Sequence, residues 1–256
     1  AEALIPDLLA DLGTPRFKGS LPVSESSLQL STEILRREAA LLIHKAEART
    51  TRFVSVPVTT STPKTSAEWA ALGQWSEAAN VAMKEFESLP TSRNRYGRAG
   101  ALLLLAGDVE RYRKLCETGI QTFGTTTNPE DADSLCKNCL LIPDAVDPAR
   151  LPLPLLRTAV TDPKQIAYRD WFLACLALAE YRAEQPEAAI KQADQQSSTA
   201  RSDCRSLMLV VRAMAQKRLG QHEQARKSLE QAESLIPLEL RTLGTAEYSG
   251  PLPLPA

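Results

Sequence analysis

The sequence has little histidine, no excess of either charge and no long apolar run. Two histidines, His44 and His222, stand among 256 residues, which leaves few candidates for a general base. Lysine plus arginine number 30 against 31 for aspartate plus glutamate, so no net field points towards nucleic acid or an anionic membrane surface. The longest apolar run, Ala99–Ala106, is interrupted by Gly100 and falls far short of the roughly 20 residues that cross a bilayer. This segment is therefore not expected to insert into a membrane. Ala1–Leu12 carries Glu2, Asp7 and Asp11 and no basic residue, the reverse of a secretory signal. The chain begins at alanine and reads as part of a longer or processed protein.

Catalytic signatures are missing as well. There is no Gly-rich loop over phosphates, no His-Arg-Asp catalytic loop, no Asp-Phe-Gly and no Walker A loop. His222 and Glu223 do not open a zinc-protease helix, because Ala225 and Arg226 follow. His222 is expected at a surface helix start and His44 in partly buried packing. Neither a metal nor a cofactor is expected, and the chain is not expected to be an enzyme.

Five cysteines, Cys116, Cys136, Cys139, Cys175 and Cys204, make an odd number set in apolar helical stretches. That pattern fits small buried thiols in a reducing compartment, and the cytoplasm is the expected location. Cys136 and Cys139 have redox spacing, but no strand precedes them as a thioredoxin-type site would want. A zinc site would need a second pair of ligands. A thiol-dependent enzyme built on these two residues remains as a rival, and native-state alkylation separates the two readings.

What is present is helical periodicity. In Arg205–Leu219 the apolar residues Leu207, Val210, Val211, Met214 and Ala215 fall on one helical face. Helix starts are marked by Asn128-Pro129, Asp147-Pro148 and Asp162-Pro163, which place a capping side chain before proline. Thr65 and Glu68 have capping-box spacing. Gly73, Gly107 and Gly220 each follow a helix end, where a left-handed residue is easiest for glycine. Gly73 and Gly107 are 34 residues apart, and Glu184 aligns with Gly220 at a spacing of 36. A helix–turn–helix unit of that period cannot fold alone and stacks on its neighbours.

Five helix pairs follow. They are Thr65–Leu72 with Trp75–Ser88, Ser92–Ala106 with Asp108–Phe123, Pro129–Leu141 with a helix near Pro154–Val160, Pro163–Arg182 with Pro186–Gln196, and Ser202–Leu219 with Gln221–Leu235. Pro152 and Pro154 shorten the second helix of pair three. The expected organisation is a helical segment over 1–48, a linker over 49–64, a repeat domain over 65–237 and a tail over 238–256. Glu2–Leu12 and Ser26–Ala48 read as helices, Phe53–Val58 as an extended segment, and Gly250–Ala256 as disordered.

Pair five resembles the tetratricopeptide (TPR) repeat at Ala213, Gly220, Ala225, Leu229, Ala232 and Pro237. Pair two keeps Tyr96, Gly100 and Gly107 but has Tyr112 where a small residue is usual. Pair four keeps Ala177 and Ala189 but has Glu184 at the turn. Gly107–Cys116, Phe123-Gly124, Asn128-Pro129 and Cys139–Ala145 are similar to the C-terminal helical regions of large bacterial serine/threonine protein kinases and their WD-repeat relatives. The resemblance implies an all-α, right-handed superhelix of about five degenerate pairs, working as a protein-binding or scaffolding module in a signalling protein. It also leaves open a regulatory region beside a kinase domain outside this chain.

In TPR stacks the first helix of each pair lines the concave face, where peptides lie. Transferring the groove positions gives Asn94, Trp171, Leu178, Tyr181, Arg182, Met214, Lys217 and Arg218, with Ala174, Leu207 and Val210 on the floor. The partner implied is a protein or peptide segment carrying an acidic group, or another domain of the same protein. Trp171, Leu178 and Met214 fit equally well as core between helices. The basic residues of pair five, Arg201 to Lys227, read as a solvated face rather than a nucleic-acid surface, and a spacer without any ligand is a third possibility.

Overall fold

Short-range chemistry sets the helix ends. The computed structural model describes residues 27–44, 64–71, 74–197 and 200–236. Every regular element among them is helical: α1 (Ser27–His44), α2 (Ser66–Ala71), α3 (Trp75–Ser88), α4 (Arg93–Leu105), α5 (Val109–Phe123), α6 (Pro129–Cys139), α7 (Leu153–Ala159), α8 (Arg169–Arg182), α9 (Pro186–Ala193), α10 (Ser202–Arg218) and α11 (His222–Leu235). The Thr65–Glu68 capping box forms in both directions, with Glu68 N–H donating to Thr65 Oγ1 at 3.2 Å and Thr65 N–H to Glu68 Oε2 at 2.9 Å. The Asn128 side chain accepts from Glu130 N–H at 2.9 Å to start α6. The expected helix Glu2–Leu12, the extended segment Phe53–Val58 and the tail Gly250–Ala256 lie outside the described residues.

Two of the three proline-marked starts serve shorter elements than expected. Asp147 and Asp162 cap the 3-10 turns Pro148–Arg150 and Pro163–Gln165. The backbone there closes i to i+3 bonds, as in Gln165 N–H to Asp162 O at 2.9 Å and Tyr168 N–H to Gln165 O at 2.9 Å, so the first helix of pair four begins at Arg169 instead of Pro163. Pro154 lies within the first turn of α7, where a missing N–H costs little.

The turn device repeats. Asp108, Gln185 and Gln221 each donate a backbone N–H to a carbonyl five residues back (Leu103, Glu180 and Gln216), all at 2.9 Å, and Gln74 does the same to Trp69 at 3.0 Å. This is the long bond of a Schellman helix end, which needs a left-handed residue in the middle. Gly107 and Gly220 supply it at φ 75° and 74°. Glu184 takes the same conformation at φ 60° without being glycine, so the turn is imposed by the stacking around it rather than by local preference.

The helices pack as successive pairs: α2 on α3, α4 on α5, α6 on α7, α8 on α9 and α10 on α11. Between pairs, α4, α6, α8 and α10 touch in sequence, and α3, α5, α7 and α9 each touch the first helix of the next pair. One continuous apolar cluster runs through all of them. Close approach inside it depends on glycine at two places. A Cβ at Gly100 would overlap the Asn138 amide, and one at Gly119 would overlap the Tyr96 phenol. Tyr96 is held there by Phe86 and Phe123, each 5.7 Å away between ring centroids.

The helix α1 does not stand apart from the stack. It packs along α10 and reaches α4 and α11, burying Ile34, Leu35, Ala39 and Ile43 in the common cluster. Thus α1 covers first helices of pairs that are far apart in sequence.

Candidate docking face

The strongest polar feature under α1 is Arg182, the last residue of α8. Phe172 to Tyr181 are all buried, so α8 is a central helix with no free face. Its C-terminus carries partial negative charge that favours a cation. Arg182 Nε donates to Leu140 O at 2.9 Å and Nη2 to Leu141 O at 2.8 Å, two carbonyls in the chain leaving α6. Nη1 and Nη2 then donate to the two carboxylate oxygens of Glu38 on α1, each at 2.6 Å. The Arg182 side chain is 4% exposed and that of Glu38 15%. Burial opposes the Arg182 charge, but Glu38 outweighs it and the guanidinium is held above its ordinary range.

Arg182 and Arg218 both lie over the Tyr181 ring. Their guanidinium carbons lie 5.4 and 4.3 Å from the ring centroid. Burial, and then the charge of Glu38, push the Tyr181 phenol up. Arg218 also donates to Tyr181 O at 3.3 Å and pairs with Glu184 at 2.8 Å. Lys217, half-buried, is its chain neighbour. Of the eight sequence-derived residues, Tyr181, Arg182, Lys217 and Arg218 lie at the C-terminal ends of α8 and α10, the side chains of the first two buried.

A second charged cluster secures the same helix. Glu33, whose side chain is 1% exposed, accepts from Arg36 Nε and Arg37 Nε, both at 2.7 Å. Arg36 Nη1 reaches Glu233 on α11 at 2.8 Å. Burial alone would raise the Glu33 carboxyl, but Arg36 and then Arg37 outweigh it and hold it below the usual carboxylate range. Glu33 stays charged inside the fold.

The remaining site candidates are elsewhere. Leu178 and Met214 are 0% exposed and belong to the core, as do Ala174, Leu207 and Val210, so their side chains offer no surface in this packing. Trp171 lies in the first turn of α8, eleven residues from Arg182 and hence about 16 Å along the axis. Its half-buried ring faces the Lys137 ammonium at 4.9 Å and the Arg201 guanidinium at 5.7 Å. Asn94 is exposed in the first turn of α4. Sequence reasoning missed Glu38, Glu233 and the two carbonyls. The available signal was Glu38 itself, a charge inside the apolar stripe of Ile34, Leu35, Ala39 and Ile43.

All five cysteines are free and buried. Cys139 Sγ meets the Tyr96 hydroxyl at 3.3 Å, beside Cys116. Cys136 is beside Cys175. Burial pushes Cys175 well up and Cys204 up to about 12. A thiol enzyme needs an accessible thiolate; all five thiols are buried, although the hydrogen bond with Cys116 holds Cys139 below its ordinary range. His222 opens α11 on the surface, whereas His44 is exposed at the end of α1 rather than partly buried, being the residue after the last apolar contact, Ile43. Among the described residues no group of three or more His, Cys, Asp or Glu could hold a metal ion, and no helix is long and apolar enough to cross a membrane.

Set against family models, curated proteins and solved structures, the chain matches none of them.

Proposed function

We propose that this chain is a protein-docking module of the TPR type, a superhelix of helix pairs that acts as a scaffold within a larger signalling protein and carries no catalysis of its own. The observation that supports this reading best is α1 lying across α4, α10 and α11 with Glu38 on Arg182. The face that groove transfer marks for an acidic segment holds an amphipathic, acid-bearing helix of the same chain. Recognition by an apolar stripe plus one buried charge pair is a common way for a groove to hold a helix. The recurring left-handed turns at 107, 184 and 220 support the repeat architecture.

Affinity capture with the full chain, then hydrogen exchange on the complex re-formed from purified components, tests this. The reading requires slowed exchange in the last turns of α8 and α10. Protection confined to other surfaces, or a chain that retains no protein, overturns it.

A further inference from the structure

Arg182 is positioned by groups that do not belong to α1. Leu140 and Leu141 carbonyls fix three of its features: its height above the stack, the plane of its guanidinium and the direction of its remaining donors. The contacts within and between the helix pairs α2 to α11 likewise do not pass through α1. If α1 leaves, the two carbonyl bonds remain, and the Arg182 guanidinium is uncovered with its other donors aimed at the place where a carboxylate was. A carboxylate that comes back to that place regains the two-pronged pair, so an occupant that covers Arg182 must carry one.

The seat of α1 is also polar for an intramolecular one. Besides Ile34, Leu35, Ala39 and Ile43 it encloses Glu33, Arg36, Glu38 and Arg182. Thr32 is buried with its hydroxyl unpartnered. Charge pairs that need desolvation on both sides add little net affinity over separated, hydrated ions. An interface of this composition resembles those between domains that separate, rather than a permanent core.

Resting on the docking reading above, we infer that α1 is a built-in competitor. The seat on α4, α10 and α11, with Arg182 at the end of α8, is shared between α1 and a partner's amphipathic helix, one bearing aliphatic residues in the register of Ile34, Leu35, Ala39 and Ile43 and a carboxylate in the register of Glu38. Partner binding and α1 docking exclude one another, so the module is closed until a helix of that chemistry displaces α1. Arg182 is the residue that reads the carboxylate.

The probe is a fluorescently labelled synthetic peptide with the sequence Ser27–His44, titrated against the full chain and against its Glu38→Arg variant. In the variant a cation faces Arg182 and loosens α1 in cis. Ile34→Asp loosens it by a second route should the first variant fold poorly, and circular dichroism checks the helical content of both. The inference requires the peptide to bind the variants at least tenfold more tightly than the parent chain, and the same peptide carrying Glu38→Arg to lose that binding. Equal affinity for parent and variant chains overturns it, as does no uptake by a variant whose α1 has been shown by hydrogen exchange to be released. A dimer of the parent chain in sedimentation, dissolved by the peptide, also overturns it, because the second occupant is then another copy. These failures leave the wider docking reading standing, since that is judged by protection in a captured complex at any register of α8 and α10.

Discussion

Arg182 and Glu38, 144 positions apart in the chain, meet as a two-pronged ion pair with 2.6 Å on each arm. Both groups are largely out of water, so the pair ties α1 to the end of α8 more by the cost of breaking it than by the net gain of making it. Arg182→Ala strands Glu38, and Glu38→Ala strands Arg182. Each is expected to lower stability by about 3 kcal/mol, within the range for removing one member of a buried pair. Arg182→Ala combined with Glu38→Ala should cost less than the sum of the two, which urea unfolding of the three variants measures. Strict additivity would show that the pair is not formed.

The turns offer a cleaner sign test. Glu184 holds φ 60°, a conformation that costs a non-glycine residue on the order of 1 kcal/mol. Its ion pair with Arg218 is exposed on the Glu184 side and offsets little. Glu184→Gly should therefore stabilise the chain by roughly 0.5–1 kcal/mol. Gly220→Ala should destabilise by a similar amount, although nothing lies within 4 Å of the added methyl, because the cost is in the backbone alone. Chemical denaturation of both variants gives the comparison.

Gly119 poses the opposite problem. Alanine is the better helix former by about 1 kcal/mol, yet its Cβ would overlap the Tyr96 ring. Tyr96 cannot retreat, because Phe86, Phe123 and Cys139 surround it. Overpacking wins at about 1–3 kcal/mol, so Gly119→Ala should lower the thermal midpoint. A Tyr96→Leu background should shrink the penalty.

The Glu33 carboxyl gives the charged cluster on α1 a pH dependence. Its folded value lies below the ordinary 4.5, so its contribution is complete above that ordinary value and is lost as pH falls through the depressed folded value. Stability of the parent chain should drop more steeply below about pH 4.5 than that of Glu33→Gln, whose stability is lower throughout the neutral range. Unfolding curves at successive pH values between 6 and 3 show this, and parallel profiles would remove Glu33 from the account.

Thiol chemistry is expected to be slow. With all five cysteines buried, a disulfide-exchange reagent at neutral pH should label native protein far more slowly than protein in urea. Rapid labelling of Cys136 and Cys139 together would revive the redox reading.

Much of the stack was legible because its determinants are local. The turn at Gly107 needs one residue with φ above zero, and glycine announces it; Glu184 was found by its spacing to Gly220 even though its own preference argues against it. Helix ends failed where one signal serves two structures, since an Asp-Pro start caps a 3-10 turn as readily as an α-helix, as at Asp162. Leu178 could not be assigned to groove or core, because α8 is apolar all round and no face stands out. The seat of α1 was hidden for a different reason. Its pairing depends on contacts across more than a hundred residues, and only Glu38, a charge among aliphatic neighbours, hinted that a buried cation was waiting.

Hydrogen exchange of residues 27–44 in the full chain and in its Glu38→Arg variant tests the account most directly. The account predicts protected α1 amides in the parent. In the variant it predicts exchange near that of the free peptide, while the amides of α8 and α10 stay protected. Parent α1 amides that exchange as fast as the free peptide, or a variant whose α1 keeps its protection, would contradict it.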